Sequence, residues 1–214
     1  MLDREEVNKV YDEILFGLTS ALSLAISLIM AARLLRSRHM ESGLWAASFA
    51  LLFLVAAGVT LDGLSFLSQS LVGPVASLMP GLLAAGLLWA WKRPTGSYYL
   101  RYIVAAFLVL LAATLTVGAS VDLFVAFVHV PSGLIIFLLP IYLVLTKKNQ
   151  WSGILVGVGG MLIGVGGMAL ATLSAGVPLL PQDLVTALLA PIFLAMTVLF
   201  GLGLLSTPGW GRKG

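Results

Sequence analysis

Seven long apolar segments follow one another along this chain, and each contains at least 18 consecutive residues without a charge. A segment of this length is sufficient to cross a bilayer as an α-helix. Backbone groups in lipid must be satisfied internally, which leaves helices or a closed barrel, and the lack of apolar–polar alternation favours helices. The sequence therefore predicts an all-α, seven-helix integral membrane bundle. Its predicted spans cover residues 15–35, 44–64, 71–91, 99–119, 123–145, 151–174 and 184–205.

The low charge content agrees with a chain whose main solvent is lipid. Charged residues make up 10% of the chain, against about 25% in soluble domains. The connections between the apolar segments are short, so we expect a single transmembrane domain over residues 1–214, with a polar extracytoplasmic leader at 1–12. We therefore predict a multi-pass protein of the cell membrane, with the lipid bilayer as its main partner and no binding to nucleic acid.

Basic residues predict how the chain is oriented in the membrane. Lysine and arginine collect in cytoplasmic loops, and here they follow the odd-numbered spans, whereas most acidic residues lie at the opposite ends. The N-terminus is therefore predicted outside and the C-terminus inside, with the inner basic residues favouring anionic lipid head groups. These residues are Arg33, Arg36, Arg38, Lys92, Arg93, Arg101, Lys147, Lys148, Arg212 and Lys213.

A shift of about 110 residues brings two parts of the sequence into register. A Ser-Gly pair opens both span 2 and span 6, and Pro80 in span 3 falls on Pro191 in span 7. Spans 1–3 and 5–7 are then parallel copies, with span 4 as the inverting linker. This 3+1+3 plan resembles in topology the SWEET sugar transporters and the trimeric intracellular cation channels, although span 1 lacks the proline that SWEET repeats carry. The resemblance implies a binding site between the repeats, near the bilayer midplane.

The stretch FVHVPSG at 127–133 is the strongest candidate for a site. Pro131 cannot donate a hydrogen bond to the carbonyl of Phe127, so the helix should bend there and the carbonyl needs another donor. His129, Ser132 or a neighbouring helix can supply that donor. A buried polar residue inside a span is a functional hypothesis by default, and the alternative is an imidazole held by ordinary packing contacts.

Two carboxylates are predicted near this histidine. Asp122 lies two helical turns above His129 on the same face, and Asp62 is near the outer end of span 2. Together with Ser132 these residues predict a ligand-binding, water-filled vestibule that opens to the outer side. For Asp62 the alternative is an interfacial residue that faces water.

The His-Val-Pro sequence followed by a small residue also resembles a short motif of CcmC-type haem-handling proteins. That resemblance implies a histidine that ligates haem near the outer surface, with Met79 or Met168 as the second ligand of His129. His39 is on the inner side and cannot share such a haem, and the tryptophans cluster toward the inside rather than in an outer loop. Our prediction is therefore that the chain has no resident cofactor and no metal.

Prolines and glycines inside the spans predict where helices bend and where they pack closely. The predicted bends lie at Pro80, Pro131, Pro140 and Pro191. Span 6 contains GxxxG-type spacing, which lets helix backbones approach and also permits a bending gate. The predicted packing positions are Gly160, Gly164 and Gly167.

Three functional hypotheses follow. The first is permeation or facilitated transport of a small, largely uncharged solute, with the prolines supplying the bends. The second is a non-catalytic subunit or receptor-like scaffold, in a homo-oligomer or with a partner membrane protein. The third is a haem- or metal-binding redox anchor that uses His129. An enzyme is not predicted, because no catalytic motif is present, and the lack of cysteine excludes thiolate chemistry and disulfides.

Overall fold

The predicted all-helical architecture is confirmed in a computed structural model of the chain, which describes residues 4–117, 122–174, 177, 179–206 and 210. Within these ranges there are seven α-helices, one short 3-10 segment and no strands. Six of the helices are long and apolar enough to cross a membrane, and α6 contributes a shorter apolar stretch, Gly153–Ala169. The helices are α1 (Arg4–Ser37), α2 (Met40–Asp62), α3 (Val72–Trp91), α4 (Arg93–Val117), α5 (Asp122–Leu145), α6 (Gly153–Ser174) and α7 (Gln182–Leu205), and the 3-10 segment is Gly63–Ser68.

The helix ends lie within four residues of the predicted spans, except at the starts of α1 and α4; α4 begins at Arg93, six residues before its predicted span. Helix α1 begins at Arg4, so most of the predicted polar leader is helical and continuous with span 1. Two connections on one side of the bundle are very short: Arg38 and His39 join α1 to α2, and Lys92 alone joins α3 to α4. Arg38 adopts the left-handed conformation, with φ of 56°, which lets the chain reverse within two residues.

Six of the helices form a closed ring in the order α1, α2, α3, α5, α6, α7, because α7 packs back against α1. Helix α4 lies outside this ring, mainly against α3 and with slight contact to α5. Only 11% of its apolar window is buried. The described residues therefore form one ring of helices with a single peripheral helix.

Serine hydroxyls form hydrogen bonds between neighbouring helices of the ring. Ser27 of α1 donates a hydrogen bond to the carbonyl oxygen of Ala46 in α2, at 2.8 Å, and Ser48 of α2 donates to that of Met79 in α3, also at 2.8 Å. Bonds of this kind contribute to helix association in lipid, where apolar burial against lipid tails gives no net gain. Between the ring helices lies a buried apolar core that includes Phe49, Leu52, Leu83, Leu87, Ile136 and Phe200.

The carboxyl ends of the odd-numbered ring helices meet at one end of the bundle. The Arg33 guanidinium near the end of α1 donates to the carbonyl oxygens of Leu204, at 3.2 Å, and Leu205, at 2.7 Å, at the end of α7. At the ends of α3 and α5, the ring centroids of Trp91 and Tyr142 lie 6.4 Å apart, so the carboxyl ends of these two helices are also neighbours. The basic residues that follow these helices therefore share one end, which we call the basic end; its assignment to the cytoplasm stays a prediction, and Arg212 and Lys213 lie outside the described residues.

Helix α6 approaches its neighbours closely at only some of its glycines. A methyl group added to Gly160 would lie 2.8 Å from backbone atoms of Ile136 and Phe137 in α5. At Gly164 and Gly167 no such atom lies within 4 Å. Within the chain, the close approach of α6 to α5 therefore occurs at Gly160, whereas the packing role of Gly164 and Gly167 stays a prediction.

Candidate functional site: a central cavity beside His129

A cavity of ≈ 110 Å³ lies inside the ring, between α2, α3, α5, α6 and α7. Among the described residues that line it, His129 carries the only polar side chain. Apolar side chains make up the rest of the wall and include Leu52, Met79, Pro80, Ile163, Phe193 and Met196. The histidine that the sequence singled out therefore borders open space in the middle of the bundle.

The size and polarity of this cavity limit what can occupy it. Pockets for drug-sized ligands have volumes of about 300 Å³ or more, so this volume suits a molecule of a few heavy atoms and is too small for a haem. Apolar voids of about 150 Å³ bind benzene or xenon, whereas an ordered water needs at least two polar partners. The wall around His129 therefore favours a small, uncharged guest with one polar group at most.

Met79 lines the cavity together with His129, as the predicted His-plus-Met pair requires. Met168 is not among the described residues that line it, and 58% of Met168 is exposed. Within the described part of the chain there is no cluster of three or more His, Cys, Asp or Glu side chains that could hold a metal ion.

The carbonyl that Pro131 leaves without a helical donor is satisfied by α4. The Tyr102 hydroxyl donates a hydrogen bond to the carbonyl oxygen of Phe127, four residues before the proline. One turn away, the Tyr99 hydroxyl lies 2.9 Å from that of Ser132, which is fully buried. The donor is thus the neighbouring helix, and neither His129 nor Ser132 was needed for it.

These two tyrosines are the residues that the sequence did not identify. Their spacing in the sequence could have indicated them, because hydroxyls three residues apart lie on one face of a helix. From that face the two tyrosines contact two groups about one turn apart on α5. They attach the peripheral helix to the ring at the proline of α5. Ser132 is therefore engaged with α4, and it does not line the cavity.

We expect Tyr102→Phe to loosen α4, because the Phe127 carbonyl would lose its donor in a medium without water. The cost should be about 1 kcal/mol, seen as faster amide hydrogen exchange in α4 of the detergent-solubilised protein. Tyr98→Phe is the matched control, because Tyr98 is exposed on the same helix. Equal exchange rates in the two variants would contradict this role for Tyr102.

The predicted carboxylates do not join His129 in this cavity. Asp62 is exposed at the end of α2, where its carboxylate accepts a hydrogen bond from Gln69 Nε2 at 3.2 Å. Asp122 is the first residue of α5, and its side chain lies outside the described residues. Of the four residues predicted to bind a ligand, His129 is the one that the described structure places at the cavity wall.

The four predicted bend positions all lie inside helices. Pro80 is in α3, Pro131 and Pro140 are in α5, and Pro191 is in α7. Pro80 lines the cavity directly, and Pro191 precedes the lining residue Ile192. An interior proline of α3 therefore lines the cavity, and an interior proline of α7 directly precedes a lining residue.

Comparisons of the chain with protein-family models, with curated proteins and with solved structures found no match. The class of protein therefore follows from the fold itself. Six long apolar helices and a cavity lined by several of the helices are compatible with a multi-pass integral membrane protein.

Proposed function

We propose that this protein carries a small, largely uncharged solute across a membrane by permeation or facilitated transport, and that the central cavity is the solute site. The observation that carries the proposal is the cavity wall, which offers one imidazole and otherwise apolar groups. A charged solute in the middle of a bilayer needs compensating charges or many polar ligands. A small neutral molecule needs neither.

The order of helices in the ring supports a duplicated, parallel 3+1+3 arrangement. In such a repeat α1 corresponds to α5, and α3 corresponds to α7. A contact between α3 and α5 then requires an equivalent contact between α7 and α1, and both contacts occur. The residues of the cavity wall also support the proposed repeat. Leu52 and Val55 of α2 line the cavity, and so do Ile163 and Gly166 of α6, each 111 residues further along the chain. In transporters built from such repeats, the solute binds at the repeat interface near the midplane.

The prolines give this arrangement a way to open. A proline inside a helix removes one backbone hydrogen bond and bends the helix. In the proposed repeat Pro80 and Pro191 are equivalent positions; Pro80 lines the cavity, and Pro191 directly precedes the lining residue Ile192. Bending at one and then at the other would open the cavity alternately to the two sides, with the N-terminus outside and the basic end inside.

Filling the cavity tests the proposal. Gly167 lines the cavity, and a side chain added there meets no atom within 4 Å at its Cβ. We expect proteoliposomes with the wild-type chain to pass urea, acetamide or glycerol faster than protein-free liposomes. In Gly167→Leu this protein-dependent flux should fall at least about tenfold, equivalent to about 1.4 kcal/mol of added barrier.

Gly164→Leu is the matched control, since Gly164 is on the same helix, has the same open space at its Cβ and does not line the cavity. Flux that survives in Gly167→Leu, or that falls equally in both variants, would remove the cavity from the route. Saturable solute binding without any flux would instead favour the receptor-like scaffold. His129→Ala should retain the fold and change the relative rates of polar and apolar solutes.

A further inference from the structure

Two lysines from separate connections are held over a pair of aromatic rings at the basic end, where α3 and α5 finish. Lys92 Nζ lies 4.7 Å from the Trp91 ring centroid, and Lys148 Nζ lies 5.9 Å from that of Tyr142. The two rings meet edge to face, 6.4 Å apart. We call these four residues the lysine–aromatic cluster, and we propose that it binds the phosphate head group of an anionic phospholipid.

Short, hydrogen-bonded turns fix both lysines. Lys92 is the only residue between α3 and α4, and its backbone N–H donates to the carbonyl oxygen of Leu88 at 2.7 Å. After α5, Lys147 takes the left-handed conformation with φ of 58°, and the Lys148 N–H donates to the carbonyl oxygen of Leu143 at 2.8 Å. Because these hydrogen bonds hold the backbone on both sides, the two lysines extend from fixed turns at the ends of neighbouring helices. The backbone therefore needs no ordering when a ligand binds, which lowers the entropic cost of binding.

The cluster presents two positive charges at the surface. Both lysines are exposed, and each lies over an aromatic ring. A phosphate placed between the lysines would gain two charge-assisted contacts. Basic pockets of this kind at the ends of membrane helices recognise anionic head groups, and tryptophan and tyrosine are enriched at head-group depth.

The surface beside the cluster fits acyl chains and thereby points to a lipid. An exposed apolar stripe runs along α5 away from the cluster, at spacings of three and four residues that place its members on one helix face. The slight contact between α4 and α5 leaves this face uncovered within the described chain. The stripe consists of Leu134, Leu138, Tyr142 and Leu145.

The test compares phosphatidylglycerol with phosphatidylcholine, by native mass spectrometry of the lipids retained by the purified full-length chain. We expect preferential retention of phosphatidylglycerol, and about a 10- to 30-fold loss of that preference in Lys92→Gln/Lys148→Gln. The control is Arg36→Gln/Arg38→Gln, which removes the same charge from exposed positions at the same end, outside the cluster. Its preference should stay within about twofold of wild type, since Arg36 and Arg38 belong to the α1–α2 connection and do not form part of the cluster.

Two results would overturn the proposal. An equal loss in both double variants would show that general surface charge holds the lipid. Full displacement of phosphatidylglycerol by inorganic phosphate at millimolar concentration would show an anion site that does not use the acyl chains. Unchanged unfolding temperatures in phosphatidylcholine establish that the variants are folded, and single Lys92→Gln and Lys148→Gln variants replace the double variant if it unfolds.

Discussion

Replacing Gly160 by alanine is expected to lower the unfolding temperature of the detergent-solubilised protein by about 5–10 °C. The added methyl group would lie 2.8 Å from the carbonyl carbon of Ile136 and the backbone nitrogen of Phe137. Backbone atoms cannot rotate away as a side chain can, so α5 and α6 must separate. Overpacking of this kind costs about 2–3 kcal/mol. The measurement is a thermal denaturation curve followed by circular dichroism.

Gly164→Ala is the control, one helical turn further along α6. There the new methyl group meets no atom within 4 Å, and alanine is the better helix former by about 1 kcal/mol. The control should therefore unfold at the wild-type temperature or above it. If the two variants unfold together, the close approach of α5 and α6 at Gly160 is not what stabilises this pair of helices.

The second large effect is expected at Arg33, whose guanidinium binds two carbonyl oxygens at the end of α7. The last carbonyls of a helix have no intrahelical donor, and a cation there also interacts favourably with the helix dipole. In Arg33→Met the packing of the aliphatic stem is retained while both hydrogen bonds are lost. We expect a loss of about 2–3 kcal/mol in the free energy of unfolding, measured by denaturant titration in mixed micelles.

Arg36→Met removes the same charge from an exposed position one turn later in α1 and should change stability by less than about 0.5 kcal/mol. Arg33→Lys should fall between the two, because an ammonium group is a point donor and cannot reproduce the planar fork of arginine. A stability for Arg33→Met equal to that of Arg36→Met would refute the role of Arg33 in joining α1 to α7.

Helix number and helix ends could be predicted because lipid imposes them. A span needs about 20 apolar residues and a closed set of backbone hydrogen bonds, and both requirements are visible as local sequence. The order of helices around the ring was not visible, because every helix is apolar on most faces and no stripe marks its neighbour. The peripheral place of α4 is an example: its apolar stretch is at least as hydrophobic as that of α3, which is buried to a much larger extent.

For the candidate site, the sequence predicted which groups need partners but not which residues supply them. Pro131 guaranteed that the Phe127 carbonyl would need a donor, but which helix supplies it depends on three-dimensional packing, and Tyr102 was not foreseen. The GxxxG spacing at Gly160 and Gly164 is symmetric in sequence and yet only Gly160 touches α5. Asp62 was grouped with His129 because both were predicted near the outer side, but that shared depth does not place it at the cavity wall.

The place of α4 outside the ring has a consequence for the path of the chain. Helices α3 and α5 are neighbours whose carboxyl ends meet at Trp91 and Tyr142, so they run in the same direction. A chain that leaves α3 at one face must return to the other face before α5 can begin. Helix α4 supplies this crossing, and it is held in place by its packing against α3 and by the contacts of Tyr99 and Tyr102 with α5.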